Sequence, residues 1–111
     1  MAQHLLAQLN ANTIKFIDVI SYIDRHYTHT PTAFVNGAQK NQATENQGSA
    51  KVLSFAKLHG LNEQETLQLF AEHYAKVQAT PNEEDHQNIR QFMKTGWQGV
   101  SFDADVLQPR T

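Results

Sequence analysis

The sequence predicts an α+β fold that is mainly helical: a compact bundle of four to five helices with a short hairpin or small antiparallel sheet. Three observations predict it. Apolar residues recur at three and four positions over most of the chain. Two segments open with a cap residue followed three positions later by glutamate. One stretch, Thr30 to Lys40, breaks the helical period around Pro31 and carries the turn dipeptide Asn36-Gly37.

Leu5, Leu6 and Leu9 place one apolar stripe on a first helix over about residues 3 to 9, with Asn10 and Asn12 interrupting it. A second helix runs from about Ile14 to His26, with Thr13 as N-cap and Phe16, Ile17, Ile20, Ile23 and Tyr27 on one face. Phe34-Val35 then leads into Asn36-Gly37, and residues 38 to 40 return as a short second strand. Asn41 to Gly48 reads as a loop. The central helix covers about Ser49 to His59, with Val52, Phe55 and Ala56 inward and Gly60 as a left-handed stop. Asn62 and Glu65 form a capping box that starts a helix running to about Lys76. Thr80-Pro81-Asn82-Glu83 combines a cap, a proline suited to the first helical position and a capping glutamate. It predicts a last helix from there to Gly96, with Ile89, Phe92 and Met93 inward. Trp97 to Phe102 alternates enough for one strand, which the Phe34 segment is placed to pair with. Residues 107 to 111 read as a frayed tail.

The chain has 111 residues, which suits one domain over 1–111. Charged residues are only 18%, and 12 Gln and 8 Asn make up much of the polar surface. The formal charge is -2, too little basic surface for a nucleic-acid module. Asn62, Glu63, Gln64 and Glu65 would also set carboxylates against phosphates if the central helix pair read DNA. There is no cysteine, which removes disulfides, thiol catalysis and zinc-thiolate sites. No apolar run spans a bilayer and the N-terminus lacks the form of a cleavable signal peptide. The expectations are a soluble cytoplasmic monomer with no membrane contact, no nucleic acid, no metal and no cofactor.

The chemistry-bearing residues each admit two readings. His86 follows Asp85, with Asn88 and Arg90 close behind; it is a general base or metal ligand, or a half-buried imidazole bonded to a neighbour. His59 is a second candidate, or simply a histidine facing the terminal carbonyls of its helix. His26, His29 and His73 have no compact ligand spacing, so a metal site would need distant segments. Ser49 follows Gly48 without a nucleophile elbow or phosphate loop, although a helix N-terminus there suits an anion. The candidate polar site is therefore His59, Asp85, His86, Asn88 and Arg90. Phe34, Trp97 and Phe102 form a candidate interface, with Trp97 either an exposed anchor or a partly buried ring.

Several motifs carry a resemblance. Tyr27 to Phe34, Asn36-Gly37, Asn46-Gln47-Gly48-Ser49, Phe55 to Leu61, Asp85 to Met93 and Gly96-Trp97 together resemble the HopJ type III effector family, from the second helix to the tail. The shared positions include His59, Gly60, Asp85, His86, Asn88, Arg90, Gly96 and Trp97, and the chain departs from relatives around Arg25-His26 and His29. The resemblance implies kinship without an assigned catalytic role. It implies a small protein acting through protein–protein interaction with a host or bacterial protein, and export through a type III system. The competing expectation is an enzyme or metal-binding protein centred on His59, Asp85 and His86. A shared cleft holding both histidines would favour the second, and an exposed apolar surface around Trp97 the first.

Overall fold

The computed structural model describes residues 2–11 and 13–110, with side chains from residue 4 onward. The interruption expected at Asn12 and the last residue of the expected tail, Thr111, lie outside the described residues. The fold is α+β, as the sequence predicts. In chain order the elements are α1 (Ala2–Asn10), α2 (Phe16–His26), β1 (Tyr27–His29), β2 (Phe34–Asn36), β3 (Gln39–Asn41), α3 (Gln47–Leu58), α4 (Glu63–Gln68), α5 (Glu72–Ala79) and α6 (Gln87–Thr95). A short 3-10 turn, Gly96–Gly99, then leads to β4 (Val100–Phe102) and β5 (Leu107–Pro109).

The helix α3 is the axis of the molecule. Ala50, Val52, Leu53, Phe55 and Ala56 are all fully buried, so most of its circumference is covered. On α2 the buried residues are Val19 and Ile23, while Ile17 is 66% exposed. Ile17 therefore leaves the face expected for it; Phe16, Val19, Ile20 and Ile23 make the 3.6-residue stripe, and Ile17 lies about 100° from Phe16 around the axis. Thr13 does not cap α2. Its N–H and hydroxyl both bond to Gln8 O (3.0 and 2.9 Å) and close α1 instead. Lys15 is the cap, its N–H donating to Asp18 Oδ2 at 2.9 Å.

The β hairpin forms as expected but with its turn shifted by one residue. Asn36 pairs with Gln39 inside the ladder, and the two loop residues are Gly37 and Ala38. Gly37 has φ 60°, the positive value that suits glycine at the first position of such a turn. β4 pairs antiparallel with the other side of β2, Phe34 opposite Phe102, so the expected partnership of these two segments holds. The tail is not frayed. Leu107–Pro109 pairs with β1, Thr30 N–H donates to Val106 O (2.8 Å) and Arg110 N–H to His26 O (3.0 Å). Val106 and Leu107 are buried, which repays ordering the end of the chain.

Two long helices expected from capping signals are broken by tertiary contacts. Asn62 and Glu65 form the capping box, each backbone N–H bonded by the other's side chain (2.8 and 3.0 Å), and α4 starts there. But α4 stops at Gln68. Leu69, Phe70 and Ala71 close with tight i→i−3 bonds, and Ala71 takes φ 52°, ψ −124°. The break buries the consecutive residues Leu69 and Phe70 together and stacks Phe70 on Phe16, with ring centres 6.0 Å apart. The second case is residues 80–86. Thr80, Pro81, Asn82 and Glu83 form a turn, Glu83 N–H donating to Thr80 O (3.2 Å), and the helix waits until Gln87. Proline at the second position serves a turn as well as a helix start. Thr80 Oγ1 donates back to Lys76 O (2.7 Å), so it closes α5 instead of capping α6. On α6, Ile89 and Phe92 are buried as expected, but Met93 is 46% exposed.

Candidate functional site

The polar candidates divide into separate settings. Asn88 is buried and belongs to an amide network that seats α6 on the hairpin. Asn36 Nδ2 donates to Asn88 O (2.7 Å), Asn88 Nδ2 to Asn41 Oδ1 (3.0 Å) and Asn41 Nδ2 to Asn88 Oδ1 (3.2 Å). Arg90 is 7% exposed and holds the 80–86 turn: its guanidinium donates to Thr80 O (2.7 Å), Asp85 O and Asp85 Oδ1 (2.6 Å). A bidentate fork is the geometry arginine supplies and lysine does not. Asp85 also takes Lys76 Nζ at 3.2 Å, and the hydrogen bonds from Arg90 and then Lys76 hold its carboxyl below the ordinary range. These contacts explain Asp85, Asn88 and Arg90 as structural residues.

His86 is the left-handed cap of α6, with φ 52° and ψ 47°. Its Nε2 lies 3.9 Å from Asp85 Oδ2, too far for a hydrogen bond. Its ring faces His73 of α5, centres 5.0 Å apart. Together they line an open cleft of about 310 Å³ whose other walls include Phe16, Phe70, Gly48 and Ser49. His59 is elsewhere. It ends α3 as expected, with Nε2 2.7 Å from Tyr27 Oη and its ring 4.4 Å from that of Phe55. His59 and His86 thus share neither a partner nor a cleft. Among the described residues no three His, Asp or Glu side chains converge as metal ligands. Tyr27 as the partner of His59, and His73 as that of His86, were not legible as pairings because 32 and 13 positions separate them.

Desolvation lowers the affinity of both imidazoles for a proton, and His73 adds a like charge against His86. The unfolded chain, near 6.5 at each site, therefore protonates first. Stability is unaffected above that pH and falls as pH drops from 6.5 toward the lower folded values. The melting temperature is expected to decline between about pH 7 and 5.5, and the decline should be smaller in His86→Asn. A pH-independent melt over this window would sink the assignment of neutral imidazoles.

The aromatic candidates meet only in part. Phe34 is 1% exposed and belongs to the core, so it supports a surface without being one. Its ring lies 5.6 Å from Phe102, which is half-buried. Trp97 is half-buried too: its Nε1–H donates to Leu61 O (3.1 Å), its N–H to Glu63 Oε2 (3.0 Å) and its ring meets Phe92 edge-on at 5.0 Å. Around Trp97 and Phe102 run two adjoining open grooves. One, of about 610 Å³, lies between β4 and the end of α3, and the other, of about 270 Å³, between Trp97 and Gly60. Lys57 and Val100 line both, and Leu58, 55% exposed, lines the larger. The sequence places Leu58 near the inward stripe of Val52, Phe55 and Ala56, and the structure leaves it exposed at the end of α3.

Comparison with known proteins decides the kinship. The family model described as HopJ type III effector protein matches residues 2–107. The chain belongs to the HopJ family. A solved structure described as "Crystal structure of unknown function protein VPA0580" superposes on this HopJ protein with a TM-score of 0.90 at 39% identity, covering 97% of this chain and 92% of that one. No curated protein matches. Among the described residues of this family member no helix is long and apolar enough to cross a membrane.

Proposed function

We propose that this HopJ protein acts by binding a partner protein at the free edge of β4, taking an extended segment of that partner as an added strand. The carrying observation is the open groove along that edge, bordered by exposed Leu58 and half-buried Phe102. The register says which main-chain groups face it. Gly37 N–H bonds to Gly99 O (3.0 Å) and Asp103 N–H to Ala33 O (3.1 Å), so alternation turns Ser101 toward β2. The carbonyls of Val100 and Phe102 and the N–H of Phe102 then point into the groove. Unpaired edge groups flanked by apolar side chains are what strand addition uses. The separation of His59 from Asp85 and His86 leaves the catalytic alternative without a shared site. The family description makes a host-cell protein the first partner class to screen, with export through a type III system as part of the same reading.

Leu58→Lys tests the reading. Lysine suits the last turn of a helix, and the site is exposed, so folding should be unchanged. Peptides selected from a display library on the wild-type protein are expected to protect the Phe102 N–H from exchange and to bind the variant about tenfold more weakly or worse. Peptides that bind both proteins equally, or that leave Phe102 unprotected, would overturn it.

A further inference from the structure

We propose that the cleft lined by His73 and His86 binds a phosphomonoester, with the phosphoryl group among the two imidazoles and Ser49 and the organic part against Phe16. The cleft is distinct from the β4 groove, and no residue lines both. It does not depend on the protein-binding reading.

The lining is one-sided in its chemistry. Neither imidazole has a hydrogen-bond partner among the described residues, although their rings stand 5.0 Å apart and half-buried. His73 stands against His86 as a like charge when protonated and opposes the protonation of His86, and an anion between the rings offsets that opposition. Ser49 adds a hydroxyl to the same lining. The main chain adds donors as well. α3 and α6, of 12 and 9 residues, both begin at this cleft, and neither N-cap side chain bonds to its helix. Asn46 takes the left-handed conformation, φ 52° and ψ 38°, and its Nδ2 turns to Asn41 Oδ1 at 2.8 Å. The N–H groups of Gly48, Ser49, Gln87 and Asn88 therefore have no acceptor among the described residues.

No carboxylate lines the cleft. The two nearest are engaged: Asp85, whose Oδ2 stands 3.9 Å from His86 Nε2, by Arg90 and Lys76, and Glu72 by the Phe16 N–H at 2.8 Å. A ligand that offers only acceptors and a negative charge complements such a wall, and a phosphoryl group has both properties. The half-buried Phe16 ring, backed by the buried Phe70, supplies a flat apolar side, which favours an ester over the free ion.

The test is a histidine-resolved and amide-resolved NMR titration of the full chain with inorganic phosphate and with phenyl phosphate, at constant ionic strength set by potassium chloride. Saturable shifts are expected at His73, His86, Ser49 and Gln87, with His59 unmoved, and phenyl phosphate should saturate at the lower concentration. Gly48→Asp is the decisive variant. A Cβ at Gly48 would meet only the Phe16 ring, at 3.8 Å, and aspartate in the first turn favours the helix, so the fold should hold. The added carboxylate should weaken phosphate binding about tenfold or more. His73→Gln, which keeps the volume but loses the imidazole, should weaken it as well. Shifts that stay linear and match those in chloride would overturn the site, as would binding that Gly48→Asp leaves intact. Saturation by phosphate but not by phenyl phosphate would overturn the ester.

Discussion

Arg90→Ala is expected to destabilise the protein by about 3 kcal/mol, the cost of removing a nearly buried guanidinium and leaving the backbone carbonyls it serves without their donors. The side chain is 7% exposed and bonds two carbonyls, a hydroxyl and a carboxylate across the 80–86 turn. Its removal leaves Thr80 O and Asp85 O without those donors and opens a void beside α6. Arg90→Lys should recover only part of the loss, because an ammonium group lacks the planar fork. Urea unfolding of the three proteins measures both effects. A loss below about 1 kcal/mol in Arg90→Ala would show that the turn is held by other contacts. A further consequence concerns His86, which the same turn delivers into the left-handed cap of α6: its NMR signal should move in Arg90→Ala even under fully folded conditions.

Gly96→Ala is expected to cost about 3 kcal/mol, from a backbone conformation reserved for glycine together with one lost charge-assisted hydrogen bond. Gly96 is buried at φ 59° and ψ −152°. A Cβ there would overlap the Glu63 carboxylate, whose Oε2 accepts the Trp97 N–H. Glu63 would have to swing away, and the Trp97 ring would lose the support that aims it at Phe92 and Leu61 O. Glu63→Ala isolates the hydrogen bond and should cost nearer 1 kcal/mol. Unfolding curves give the energies, and a red shift of tryptophan emission reports the ring becoming wetter. If Gly96→Ala and Glu63→Ala cost the same, backbone strain has no part in the effect. Because Trp97 borders the groove beside β4, Gly96→Ala should also weaken any ligand bound along that edge.

The local signals that survived are those whose partners lie within a few residues. The Asn62/Glu65 box starts α4, and Gly60 and Gly96 end their helices with positive φ; the pairing of Phe34 with Phe102 is the exception, a distant contact that alternation in both segments made visible. The signals that failed were ones a second use could claim. Thr13 and Thr80 have the hydroxyl a cap needs, yet both bond backward to the preceding helix. Thr80-Pro81 serves a turn because Arg90, ten positions later, bonds Thr80 O. The tail looked frayed because its order depends on β1, about 80 positions away, which no local pattern reveals.

The same division runs through the candidate sites. Histidines, a glycine-serine pair at a helix start and aromatic residues near Trp97 are visible as residue types. Their grouping is not. His59 joins Tyr27 and His86 joins His73, while Asp85, Asn88 and Arg90 turn inward as structural ties. The sequence by itself determined the α+β class, the HopJ kinship and most helix positions, because periodicity and capping act over one or two turns. Only the tertiary structure decided which polar side chains are structural and which are left with open valence. That choice depends on hydrogen-bond partners and burial contributed by segments far apart in the chain.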